Sequence, residues 1–183
     1  MDELSPAQKY ARNRHQAQFP HLRDFVGTLA FDLDHFQIRG CEVLESGRSV
    51  LVAAPTGAGK TIVGEFAAHL SLAKSGKCFY TTPIKALSNQ KYAELVLKYG
   101  NDRVGLLTGD NSINPEAPIV VMTTEVLRNM LYSGSTTLQG LRVVVLDEVH
   151  YLADRSRGAV WEEVIIHLPD SVAVAALSAT VSN

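Results

Sequence analysis

Ser49-Val50-Leu51-Val52-Ala53, followed at once by Ala54-Pro55-Thr56-Gly57-Ala58-Gly59-Lys60-Thr61, is a strand, a glycine-rich turn and a helix start in thirteen consecutive residues. The first five residues form a short apolar run, and helical spacing of apolar residues takes over from Gly59 to Ala73. Glycines in such a turn let backbone N–H groups wrap a phosphate, and the helix N-terminus adds a favourable dipole. Lys60 then reaches terminal phosphates, and the Thr61 hydroxyl suits magnesium. Pro55, Thr56, Gly57, Ala58, Gly59, Lys60 and Thr61 are therefore the expected phosphate cradle. The general pattern begins with glycine where this chain has Ala54, so the assignment rests on the strand-turn-helix setting as well as on the motif.

Outward from this stretch the chain alternates. Cys78 to Thr81, Val104 to Leu107, Ile119 to Met122, Val143 to Leu146 and Val172 to Ala176 read as further strands. Pro83 to Tyr99, Glu125 to Tyr132 and Trp161 to His167 read as helices between them. Upstream, Asp34 is a plausible N-cap for a helix carrying Phe36, Ile38, Cys41 and Leu44, closed by Ser46-Gly47. Continuous Val-rich strands separated by helices are what a parallel sheet covered on both faces requires. The expected fold is a doubly wound α/β layer over residues 31–183. Residues 1–30, broken by Pro6, Pro20 and Gly27, are expected to form a helical arm, packed or frayed, with Lys9, Arg12 and Arg14 on one short helix.

A length of 183 residues predicts one domain, at roughly 100 to 200 residues each. Hydrophobic residues make up 46% and charged residues 20%, which excludes a disordered chain. The 17 basic and 19 acidic residues leave a net charge of −2, so any nucleic-acid contact must be local rather than a general polycation effect. Cys41 and Cys78 match no disulfide framework or zinc spacing and read as buried thiols. The six histidines lack zinc pairing, the first residues lack a secretory pattern, and no apolar run approaches the ~20 residues of a membrane helix. A cytoplasmic compartment without membrane contact is expected.

In such sheets ligands bind where loops leave the carboxyl ends of the strands. Asp147-Glu148-Val149-His150 stands at the end of the most apolar strand. A nucleotide hydrolase needs one carboxylate for magnesium and one for the attacking water, and adjacent acids can divide those roles. Asp147 is assigned to magnesium and Glu148 to the water.

These motifs, with Ser178-Ala179-Thr180 after the last strand, resemble superfamily 2 helicases, and Asp-Glu-Val-His marks a DExH box. Thr123-Thr124-Glu125-Val126-Leu127-Arg128 before the box, with Tyr151, Asp154, Arg157-Gly158 and Trp161-Glu162-Glu163 after it, resembles the superkiller-type RNA helicases, including their bacterial HelY-type members. The resemblance spans Phe31 to Thr180. It implies the first RecA-like domain of an ATP-dependent RNA helicase, with ATP and Mg²⁺ as cofactors. It implies that Phe31 stacks on adenine and Gln37 reads its edge, although Gln37 also fits an ordinary surface position. It implies that His150, Ser178, Ala179 and Thr180 couple nucleotide state to strand grip. Pro83, Lys85, Ala86 and Gln90, Thr108 and Gly109, and Thr124, Glu125 and Arg128 match the strand-gripping segments. Small hydroxyls and N–H groups there suit sugar-phosphate contact without base readout. Lys85 and Arg128 also fit solvated helix charges, and Arg155 and Arg157 fit partners of nearby acids.

Helicases of this kind use two RecA-like domains, the second supplying an arginine for phosphoryl transfer. The sequence closes three residues after Thr180, so the second domain is expected to be absent, with ATP bound but little hydrolysed and no unwinding by this chain alone. Three other readings stay open. A DNA-translocating helicase differs only in whether the 2′-hydroxyl is read. A non-hydrolysing nucleotide-binding interaction module has no need of Glu148, and a non-helicase phosphate-loop ATPase leaves Ser178-Ala179-Thr180 unexplained.

Overall fold

The structure, a computed structural model, describes residues 5, 17–149 and 155–179. Its centre is a seven-stranded sheet: β1 (Val50–Ala54), β2 (Lys77–Thr82), β3 (Val104–Leu107), β4 (Ser112–Ile113), β5 (Ile119–Thr123), β6 (Leu141–Leu146) and β7 (Ala173–Ala179). The spatial order is β1-β7-β6-β2-β5-β3-β4, parallel throughout except for the β3–β4 pair.

The Val-rich runs form the middle of the sheet because alternate side chains point to opposite faces. In β6, Val143 and Val145 enter one core while Val144 and Leu146 enter the other. In β5, Ile119 and Val121 are divided from Val120 and Met122 in the same way. Helices α2 (His35–Glu45), α3 (Thr61–Ala73) and α4 (Lys85–Tyr99) cover the first face, contributing Cys41, Phe66 and Leu95. Helices α5 (Thr124–Ser133) and α6 (Arg155–His167) cover the second, with Leu127, Trp161 and Val164 fully buried. Each such side chain contributes about 1.5–3 kcal/mol. Cys41 and Cys78 are free and buried, and burial pushes the Cys78 thiol up to about 12.

The expected doubly wound layer is therefore present, and most element ends fall within two residues of the expected ones. Three differences have physical causes. β4 is a two-residue exposed strand without an apolar run, so no periodicity betrays it. α6 begins at Arg155, six residues before the expected start at Trp161, a turn that apolar spacing does not signal because Arg155 to Gly158 carry none. In the stretch expected as an arm, α1 (Pro20–Val26) packs into the first core through Leu22 and Phe25. Pro20 takes the first helical turn, where its missing N–H costs nothing. The next two N–H groups, of His21 and Leu22, are accepted by the Glu45 carboxylate at 2.9 and 2.8 Å, and the Phe25 ring meets Phe66 edge-on at 5.4 Å.

β4 folds back closely on β3. A Cβ on Gly105 would lie 2.1 Å from the Asn114 carbonyl oxygen, a contact that only backbone movement relieves. Gly105→Ala should cost about 1–3 kcal/mol. The loss is read as a lower urea midpoint at unchanged slope, and an unchanged midpoint contradicts it.

Candidate nucleotide and nucleic-acid site

β1 delivers Ala54 to the carboxyl edge of the sheet, and the glycine-rich loop carries the chain into α3. Gly57 and Gly59 hold φ of +84° and +78°, the left-handed region that glycine enters without strain. Nothing lies within 4 Å of a Cβ built on Gly57, so glycine there answers the backbone angle and not a close neighbour. At Gly59 a Cβ would strike Gln37 Nε2 at 2.5 Å. Lys60 is 8% exposed and folds back on its own loop, donating to the carbonyls of Ala54 at 2.9 Å and Pro55 at 3.0 Å.

Gln37 braces this loop. It sits at the third position of α2, where its Oε1 accepts the Asp34 N–H at 2.8 Å and completes a capping box. Its Nε2 donates to Gly59 O at 3.0 Å. The amide thus ties the start of α2 to the phosphate loop. Gln37→Ala removes two part-buried hydrogen bonds, at ~0.5–1.5 kcal/mol each, and should cost about 1–3 kcal/mol. Chemical denaturation checks this, and a wild-type midpoint contradicts it. Phe31, by contrast, is 53% exposed and free for a stacking partner.

Across the sheet edge stands the acid pair. Asp147 is 7% exposed; its Oδ2 accepts the Tyr80 phenol at 2.8 Å and its Oδ1 the Glu148 N–H at 2.9 Å. Burial pushes the Asp147 carboxyl up from its ordinary value, and the Glu148 charge adds to this, whereas the Tyr80 hydrogen bond and the Lys91 charge oppose it. The Tyr80 phenol is itself held well above its ordinary range by burial and by Asp147. Lys91 lies 5.5 Å from the centre of the Tyr80 ring. Glu148 adopts φ of +57°, a left-handed conformation that costs a non-glycine residue roughly 1–2 kcal/mol. Strain of this kind is found where the surrounding structure fixes a residue's orientation.

β7 closes the arrangement. Its register against β1 pairs Ala53 with Ser178 and Ala54 with Ala179, directly beside the entry to the phosphate loop. The phosphate loop, Asp147-Glu148 and Ser178-Ala179 thus meet at one end of the β1-β7-β6 strands. His150 and Thr180 lie outside the described residues, as do the Arg155 and Arg157 side chains.

The strand-gripping candidates lie on the other half of the same edge. β2, β5 and β3 are adjacent there, so the segments that follow them converge on an open groove of about 480 Å³. Pro83, Lys85, Gly109 and Glu125 line it, together with Ile84, Asp110 and Thr123. Lys85 donates to Asp110, and Thr108 Oγ1 donates to the same carboxylate at 3.1 Å, which holds the Asp110 carboxyl below its ordinary value. Thr124 is buried, its hydroxyl donating to Thr82 O at 3.3 Å to lock α5 onto the end of β2. Five candidates are not in the groove lining: Thr108 and Thr124 are held by the hydrogen bonds just given, Ala86 is exposed on α4, Gln90 donates to Glu94 at 3.0 Å, and Arg128 faces Glu163 of α6 at 3.7 Å. Tyr80 and Asp110 were missed as site residues. Asp110 stood in the Thr108-Gly109-Asp110 motif, whereas nothing local marks Tyr80, whose partner is 67 residues away.

Among the described residues no three His, Cys, Asp or Glu side chains gather as a metal cluster. No helix among them is long and apolar enough to cross a membrane.

The model of DEAD/DEAH box helicases matches residues 34–183. The chain belongs to that family. This DEAD/DEAH box domain is 67% identical over 162 residues to "Probable helicase HelY" of Mycobacterium leprae, covering 88% of the chain and 18% of that protein. It is 49% identical over 182 residues to "ATP-dependent RNA helicase mtr4" of Schizosaccharomyces pombe, covering 93% and 16%. "Superkiller complex protein 2" of Homo sapiens is 53% identical over 154 residues, covering 84% and 12%. The resemblance to superkiller-type and HelY-type helicases is thereby borne out, and the domain spans less than a fifth of the length of these relatives. Among solved structures, the DUF1998 helicase MrfA bound to DNA and AMPPNP superposes with a TM-score of 0.68 at 21% identity, covering 89% of this chain and 26% of that one. A helicase from Sulfolobus tokodaii gives 0.68 at 20%, covering 88% and 50%. At such identities the likeness concerns the fold alone, and it is the RecA-like helicase fold.

Proposed function

We propose that this domain, residues 31–183, is the first RecA-like half of an ATP-dependent RNA helicase, holding ATP and Mg²⁺ at the phosphate loop and a single strand in the neighbouring groove. The observation that carries the proposal is the strand order. It sets the loop, the acid pair and Ser178-Ala179 on β1-β7-β6, and the strand groove on β2-β5-β3, at one edge of one sheet. Residues 1–30 are assigned to the N-terminal arm that leads into this domain.

Lys60 leaves the Ala54 and Pro55 carbonyls and donates to the terminal phosphates, while the loop N–H groups bind the phosphate oxygens. Phe31 stacks on the base, and Gln37 holds the loop from behind while its second amide N–H reaches the adenine edge. The Thr61 hydroxyl and the Asp147 carboxylate are hard oxygen donors that fit Mg²⁺. When bound, the ion polarises the γ-phosphoryl group and offsets its developing charge. Glu148 takes the proton of the attacking water. His150, Ser178, Ala179 and Thr180 relay the loop's state to the groove.

We assign the completion of the site to an arginine from a second RecA-like domain, which stabilises the charge of phosphoryl transfer. The groove offers hydroxyls, N–H groups and Lys85, which suit sugar and phosphate rather than bases. RNA is favoured over DNA because the relatives include proteins named as RNA helicases. The assigned compartment is the cytoplasm, where two buried thiols stay reduced.

The test is anisotropy of a labelled single-stranded RNA competed by the matched DNA, repeated with Lys85→Glu. Displacement by RNA at lower concentration, and several-fold weaker binding by the variant, is expected. Displacement by DNA at lower concentration favours the DNA reading, equal competition removes the preference for RNA, and unchanged binding by Lys85→Glu removes the groove from the strand path.

A further inference from the structure

At the opposite edge of the sheet from the phosphate loop, a small cleft lies between the last turns of α2 and α3 and the amino ends of β6 and β7. Strands of five to seven residues at ~3.3 Å each put it roughly 15–20 Å from the nucleotide site. Its volume of about 100 Å³ is that of roughly three waters at ~30 Å³ each. Leu44 and Leu70 form its floor, and the polar groups on its walls are Ser71, Lys74, Arg142 and Ser171.

These groups share one character: they offer hydrogens. Ser71 is 1% exposed, and its hydroxyl has no hydrogen-bond partner among the described residues, an arrangement folded proteins rarely leave unanswered. Lys74 gives one bond to Glu45 O at 3.4 Å, and neither it nor Arg142 has a carboxylate partner among the described residues. The Arg142 side chain packs over Gly76, where a Cβ would come within 2.2 Å of Arg142 Cδ, so glycine leaves room for this cleft-lining arginine. The nearby acids are engaged elsewhere. Glu45 accepts two N–H groups of α1, and Glu42 pairs with Arg39. Carbonyls of the two helix ends are also taken: Glu42 O by Ser46 N, Leu44 O by Gly47 N, Leu70 O by Lys74 N and Ser71 O by Gly76 N. Two cations and a buried hydroxyl around a small cleft call for a compact ligand that only accepts.

We infer that this cleft is a second anion site, separate from the nucleotide loop, that takes one free oxyanion of phosphate size. Ser71 Oγ and the Arg142 guanidinium donate to it directly, and Lys74 supplies the second positive charge. This inference does not rest on the proposed helicase activity, and either can fail without the other.

The test is a titration of the chain with inorganic phosphate, with ionic strength held constant by chloride, followed through the amide signals of Ser71, Lys74 and Gly76 and the Arg142 side-chain N–H. Signals from residues 57–61 report the phosphate loop separately in the same spectra. Saturable shifts are expected in both sets. Arg142→Ala, on an exposed side chain, should weaken binding at least tenfold in the first set and leave the second unchanged, and Ser71→Ala should weaken the first set as well. Shifts that never saturate, that chloride alone reproduces, or that survive Arg142→Ala overturn the site. Acetate binding as tightly as phosphate overturns the assignment to phosphate and points to a protein carboxylate instead.

Discussion

Lys60→Ala should weaken ATP binding by about a hundredfold or more in a calorimetric titration. The ammonium is the buried cation of the phosphate cradle, and charge-assisted hydrogen bonds to phosphate contribute ~1.5–3 kcal/mol each. The same substitution removes the donor to the buried Ala54 carbonyl and to the Pro55 carbonyl, so a parallel urea midpoint is the check that the variant is folded. An unchanged affinity for ATP would falsify the phosphate-loop assignment.

Glu148→Gln should separate binding from turnover. The substitution keeps the shape and the strained φ of +57° but removes the carboxylate that takes the water's proton. In a longer protein containing a second RecA-like domain, ATP binding should persist while hydrolysis falls by about 10²–10⁴-fold, the usual range for loss of a general base. Substantial residual hydrolysis would move the role elsewhere in the site. Asp147 is the neighbour most able to confuse the result, since its Oδ1 accepts the Glu148 N–H. Glutamine retains that N–H, so Asp147 should stay in place.

The parts of the fold that were legible in the sequence are those in which one residue type reports one environment. Val143 to Leu146 read as a strand because both faces of β6 are buried and every position must be apolar. The glycine-rich turn after β1 was legible because its glycines answer a backbone requirement that few other settings impose. β4 was not, since two exposed residues bury nothing that a pattern reveals. Nor was α1's place in the core, because Pro20 and Gly27 read as breakers whereas one starts the helix and the other ends it.

In the candidate site, the sequence order of the motifs conceals their spatial order. Residues 83–85, 109–110 and 123–125 meet only because β5 lies between β2 and β3, and β2 between β5 and β6. Gln37 carried a double meaning that the geometry divides: its amide is a structural brace on Gly59 whatever it does to a base. Arg128 matched a strand-gripping segment by sequence, yet it faces Glu163 across the α5–α6 contact. Tyr80 looked like one more strand aromatic, and only the three-dimensional fold sets its phenol against Asp147.

The most direct measurement is steady-state ATP hydrolysis with Mg²⁺ by this chain beside a longer protein that reaches through a second RecA-like domain, each with and without single-stranded RNA or DNA. Both should bind ATP, and strand-stimulated turnover should appear only in the longer protein and more strongly with RNA. If both bind ATP and neither hydrolyses it under any of these conditions, the site is a nucleotide switch and not half of a helicase motor.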